Sequence, residues 1–387
     1  MDFIKIGIKL CFSQLNVPST MKILLLLLTL NYSLFASEID AKNISDNSLK
    51  KMIGRMLLVG FENQDINASS NIVKLIQKYD LGGVILFDRF YHDRNRVKNI
   101  SSPQQLKKLT SQLQKFSFKP LLISVDQEGG KVARLKPEYG FVKTPSALTL
   151  SKLSLATAKR EYTIQANMLK KSGINCNFAP VVDLALNPKN RVIYKLERAY
   201  SLNPKIVSNY AEVFIDALQE KHIVSVLKHF PGHGSSLADS HKGFVDISTT
   251  WSQKELLPYQ MLIDSHKVTM IMTAHVFNSH LDVNYPATLS YNVNTELLRN
   301  KMHYKGLIVS DDLQMSAISQ HYTLKQTVTL AINAGVDILL FGNQLASYNV
   351  DEIVETIFKQ VRGGNISYQR VLESNQRIEK MFIKLKL

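Results

Sequence analysis

From residue 56 onward the sequence repeats one pattern eight times: a short, near-continuous apolar run, then an amphipathic stretch of helical period. The runs span 56–59, 83–87, 121–125, 176–182, 224–227, 270–274, 307–310 and 336–341. The stretches between them include helix candidates at 69–78, 103–116, 155–171, 208–220 and 324–333. Strands without polar alternation are buried on both faces, and such strands alternating with helices specify a parallel sheet covered on each side. Eight units in one chain fit a closed barrel, a single (β/α)8 TIM-type fold, better than an open doubly wound sheet. No glycine-rich phosphate fingerprint follows the first run.

Polar residues gather where the runs end. Asp126 ends the third, Asp183 the fourth, Lys228-His229 the fifth, His275 the sixth and Asp311-Asp312 the seventh. In an α/β barrel all these ends open on one face, where ionisable groups read as an active site. One or two of them serve equally well as helix caps, Asp183 and Asp312 first among them. Adjacent residues on a strand point to opposite sides, so only one of Asp311 and Asp312 is expected to face the mouth.

Three loops carry the chemistry. The fifth reads Lys228-His229-Phe230-Pro231-Gly232-His233-Gly234, continuing to Asp239-Ser240-His241. Its glycines and proline mark irregular backbone, and in an extended segment Asp239 and His241 share one side. A carboxylate on an imidazole fixes its tautomer and raises its pKa, which makes His241 a competent general acid. The histidines with Asp239 are also a zinc donor set, but they lack a compact helical pair; His233 between its glycines is equally read as structural. Asp311, held at a strand tip, has the rigidity a nucleophile needs. Asp126, before Gly129-Gly130, could bind two sugar hydroxyls, or it could cap a turn.

The formal charge is +15, but the lysines are scattered and are not interleaved with aromatics, so no nucleic-acid partner is expected. Residues 1–36 read as an upstream extension and a signal peptide. Met21-Lys22 starts it, an apolar stretch follows, and a small residue, Ala36, closes it. Export to the periplasm or outside the cell follows, with an uncleaved membrane anchor as the alternative and the catalytic unit at 37–387. Of the two cysteines, Cys11 precedes the signal and Cys176 reads as packing.

These segments resemble glycoside hydrolase family 3, specifically its short NagZ-type β-N-acetylhexosaminidases. The fifth-run loop, Leu297-Leu298-Arg299 leading to Asp311, Asp126-Gln127-Glu128-Gly129-Gly130 and Ala331 to Asp337 carry the resemblance. It implies that Asp311 is the nucleophile and that His241, oriented by Asp239, is the acid/base. It places Asp126, Arg134, Arg198, Lys228 and His229 around an N-acetylglucosamine ring. It implies neither metal nor cofactor. A peptidoglycan or muropeptide fragment is the expected substrate, and a monomer is the expected state. The sequence before Glu197-Arg198 lacks the Ile-Gly pair usual in the family. A second domain supplies the acid/base in larger members, and the residues after the eighth run are too few for one. Two other readings stay open: a phosphorylase using phosphate as acceptor, and a non-catalytic glycan-binding barrel.

Overall fold

The computed structural model describes residues 44–240 and 243–387. The signal-peptide expectation over 1–36, Cys11 and His241 lie outside the described residues. Eight parallel strands form the centre: β1 (Leu57–Gly60), β2 (Gly83–Ile85), β3 (Leu122–Val125), β4 (Cys176–Asn177), β5 (Val224–Phe230), β6 (Met270–Thr273), β7 (Leu307–Ser310) and β8 (Leu339–Phe341). Each pairs with its sequence neighbour, and β1 also pairs with β8 through Leu57↔Leu339. Between β7 and β8 a parallel bridge, Val309↔Ile338, and the Ser310 N–H to Ile338 carbonyl bond of 3.0 Å complete the ring. The chain is a (β/α)8 barrel, and the compact unit spans Asn47–Leu387.

All residues of these strands are buried, which is why their sequences are apolar without alternation. The covering helices form where local chemistry starts them. Ser102 caps Pro103–Phe116 by accepting from the Gln105 N–H, and proline in the first turn loses no hydrogen bond there. Leu106, Leu109 and Leu113 line its inner face at helical spacing, each 0 % exposed, and each contributes ~2 kcal/mol by leaving water. Thr323 and Gln326 form a reciprocal cap on Leu324–Ala334, which Gly335 ends at φ 109°.

Three strands differ most from expectation. The eighth begins only at Leu339, three residues into its apolar run. The fourth run narrows to Cys176–Asn177, because Pro180 has no N–H to add to a ladder; only a bridge, Val181↔Lys228, follows it. β5 instead runs on to Phe230, with a register irregularity between Leu227 and Phe230. That extension carries Lys228 and His229 to the mouth. The helix expected at 208–220 starts earlier, as Pro204–Gln219, because Asn203 caps it. Among the described residues no helix is long and apolar enough to cross a membrane.

Candidate active site

A cavity of about 580 Å³ opens at the C-terminal ends of the strands. Asp126 follows β3 directly, Lys228 and His229 belong to β5, and Asp311 follows β7. Together with Arg134, Arg198 and Asp239 they all line this one cavity. Of the residues that the sequence nominates, His241 alone has no described position.

The cavity wall is a network of paired charges. Lys228 Nζ lies 2.8 Å from Asp126 Oδ1 and 2.6 Å from Glu128 Oε1. Arg198 grips Glu128 through two bonds of 2.7 and 2.8 Å, and Arg134 Nη2 lies 3.4 Å from the other Asp126 oxygen. Buried charges persist only when paired in this way. Burial pulls the Asp126 carboxyl up, but Lys228 and Arg134 more than offset it and hold the group well below the ordinary carboxylate range. Glu128 is lowered likewise, with Arg198 and Lys228 overcoming burial. Each Asp126 oxygen takes one protein donor and keeps a lone pair for a ligand hydroxyl. His229 is shifted down as well, but with the opposite result for its charge: burial, then Arg198 and Lys228, push its pKa well below the usual value and keep its ring neutral. Glu128 receives no role from the sequence. Its signal was the pair Lys228 and Arg198, two cations inside a wall that needs counter-charge.

The loops are set by backbone contacts. Gly129 and Gly130 adopt φ 101° and 57°, and Gly129 pairs with Val132 across the turn. Gln127, buried beneath, accepts from the N–H groups of Arg134 and Leu135, each at 2.9 Å, and so brings Arg134 back over Asp126. After β5, a Cβ on Gly234 would stand 1.9 Å from the Leu184 carbonyl oxygen, so only glycine fits. Glu255 accepts from the Gly234 N–H at 2.9 Å, and burial pushes its carboxyl up to about 7.

Three strand-end expectations need correction. Asp311 and Asp312 both line the cavity, because β7 stops at Ser310 and strand alternation no longer applies. Asp312 Oδ1 accepts from the Gln314 and Gly342 N–H groups, both at 3.1 Å, and Asp311 Oδ1 accepts from the Asp312 N–H at 2.8 Å. His275 does not reach the cavity; it spans Thr288 Oγ1 at 2.8 Å and the Asp312 carbonyl at 2.9 Å. Asp183 starts no helix and instead meets His229 and His233. Arg198 lines the cavity, and its Nη1 donates to the Val192 carbonyl at 2.9 Å. Among the described residues no group of three or more His, Cys, Asp or Glu could hold a metal ion.

Comparison with known proteins agrees with the barrel fold. Residues 48–381 match the family model described as the glycosyl hydrolase family 3 N terminal domain. The chain is 33% identical over 338 residues to a "Beta-hexosaminidase A" from Pseudoalteromonas piscicida, covering 81% of this chain and 55% of that protein, so it spans about half of that relative. It is 31% identical over 344 residues to a "Beta-hexosaminidase" from Photobacterium profundum, covering 85% and 96%. A solved glycoside hydrolase family 3 β-N-acetylglucosaminidase from Paenibacillus sp. str. FPU-7 superposes with a TM-score of 0.79 at 32% identity, covering 87% of this chain and 62% of that one. With a family model spanning nearly all of the barrel, the chain belongs to glycosyl hydrolase family 3.

Proposed function

We propose that the protein is a retaining glycosidase that removes terminal β-linked N-acetylglucosamine, acting on peptidoglycan or muropeptide fragments after export to the periplasm or beyond. The observation that carries this reading is one cavity lined by Asp311, Asp239 and the Asp126–Lys228–Arg134 cluster. The hexosaminidase names of its relatives support the sugar.

In this reading Asp126, Arg134, Arg198, Lys228 and His229 hold the sugar by its hydroxyl and acetamido groups. The Asp311 carboxylate attacks the anomeric carbon, the bond to the leaving oxygen breaks, and His241 gives that oxygen its proton. Asp239 orients His241. Water then adds to the anomeric carbon and gives a proton to His241, and the bond to Asp311 breaks. Two displacements leave the anomeric configuration unchanged.

The test is hydrolysis of a chromogenic β-N-acetylglucosaminide with and without inorganic phosphate, with the product anomer followed by NMR. The expected first product is β-N-acetylglucosamine in both conditions. A sugar 1-phosphate would make the protein a phosphorylase instead. Absence of turnover would leave a glycan-binding barrel. Fractionation of cells would test export: recovery in the membrane fraction would indicate an anchor, and recovery in the cytoplasm would reject it.

A further inference from the structure

Asp183 sits in the loop after β4, two residues past the Val181 bridge, is 1 % exposed, and caps no helix; the next begins at Pro204. Its carboxylate meets three donors from the far side of β5. Oδ1 accepts from the N–H of His229 at 3.2 Å and of His233 at 2.8 Å. Oδ2 lies 2.7 Å from His229 Nδ1. The other ring nitrogen, Nε2, lies 3.2 Å from Arg198 Nη2. Guanidinium can only donate, so Nε2 must accept and carries no hydrogen. The ring hydrogen is therefore on Nδ1, pointing at an ionised Asp183. A protonated Asp183 or an imidazolium would each set an Nε2–H against the Arg198 N–H. Burial pushes the Asp183 carboxyl up, against the pull of His233 and of the two backbone N–H groups.

We infer that Asp183 is a positioning residue: it fixes the Nδ1–H tautomer of His229, leaving Nε2 as the acceptor for Arg198 at the cavity wall, and it ties down the turn between His229 and His233. The link to turnover rests on the glycosidase reading; the tautomer does not. His229 would then take a hydrogen bond from Arg198 at Nε2 and hold that guanidinium at the cavity wall, and it could not donate from Nε2 to a sugar hydroxyl. The same carboxylate bonds both ends of the 229–233 turn, so it couples sugar binding to the start of the acid/base loop.

Asp183→Asn is the informative change, because an amide cannot serve all three donors. If its NH2 faces Nδ1, the ring must become the Nε2–H form and oppose Arg198. If its NH2 faces the backbone, it opposes the N–H groups of His229 and His233.

The experiment is ring 15N NMR of the full chain with labelled histidine, the His229 signals being those lost in His229→Gln. Wild type should show the hydrogen on Nδ1 and a ring that stays neutral from about pH 5.5 to 8. In Asp183→Asn this pattern should be lost. On a chromogenic N-acetylglucosaminide, kcat/KM should fall about 10- to 100-fold, mainly through KM, as losing an orienting partner commonly does. Asp183→Glu, which keeps the carboxylate, should recover part of it. A wild-type His229 with its hydrogen on Nε2, or on both nitrogens, overturns the inference, and that spectrum decides even if Asp183→Asn does not fold. A folded Asp183→Asn with the native tautomer and unchanged kcat/KM overturns it too. Native tautomer without any glycosidase turnover in wild type would sink the functional reading and leave the assignment of His229 standing.

Discussion

Two buried ionic clusters occupy opposite ends of this barrel. At the N-terminal end, Asp337 just before β8 meets Arg299 at 2.6 Å, Arg370 at 2.6 Å and Arg377 at 3.1 Å. It also accepts from the Ile308 N–H at 3.0 Å, and its carboxylate is 0 % exposed. At the C-terminal end, Asp126 and Glu128 meet Lys228, Arg134 and Arg198, but they do so on the wall of a cavity. In both, the arginine and lysine partners overcome burial and hold the carboxyls down. Charge pairing and lowered pKa therefore do not distinguish a fastener from a site. Position along the strand, and the open space in front of the carboxylate, do.

The comparison predicts that changes at the mouth alter chemistry while changes at the base alter stability. The largest effect should come from Asp311→Ala, which should remove nearly all turnover and leave the melting temperature close to native. Substantial residual turnover would move the nucleophile to another carboxylate. His241→Ala should slow hydrolysis of substrates with poor leaving groups by about 10²- to 10⁴-fold and spare aryl glycosides with good ones. Equal losses on both would count against its acid role.

At the other end, Asp337→Ala leaves three arginines without their shared partner. It should cost about 3–5 kcal/mol of stability, as breaking a buried ion pair does, read as a lower urea midpoint. Turnover per folded molecule should be unchanged; a loss of kcat in the folded protein would blur the division between the two ends. The smallest effect belongs to Glu255, beneath the fifth loop. Its carboxyl is raised from 4.5 to about 7 by burial, so the folded state holds the proton more tightly than the unfolded chain. Its stabilising contribution is full below the unfolded value and is lost as pH rises through 7. Glu255→Gln, which mimics the protonated form, should gain in melting temperature relative to wild type between about pH 5 and 8. Parallel curves for the two proteins would contradict this.

Much of this division was legible in the sequence. The strands were visible because a parallel sheet buried on both faces leaves unbroken apolar runs, and Asp126, Lys228, His229 and Asp311 were visible because they end such runs. What stayed hidden depends on partners distant along the chain. Glu128 stands two residues past Asp126, where the loop has left the strand; only its distant partners, Lys228 and Arg198, give it meaning. Asp183 and His275 also end strands and look like site residues or caps. Their carboxylate and ring are instead spent on neighbouring backbone and side chains. Run ends identify the face of the barrel but not which polar group looks into the cavity, because alternation lapses where the strand stops, as at Asp312.

The account stands on Asp311 forming a bond to the sugar. The direct measurement is mass spectrometry of peptides from the protein after reaction with a 5-fluoro N-acetylglucosaminyl fluoride, whose glycosyl-enzyme form breaks down slowly. The sugar should be found on the peptide containing Asp311, on that residue's carboxylate, and should be absent from Asp311→Ala. A label on a different carboxylate, or steady consumption of the reagent with no labelled peptide at any time, would contradict the account.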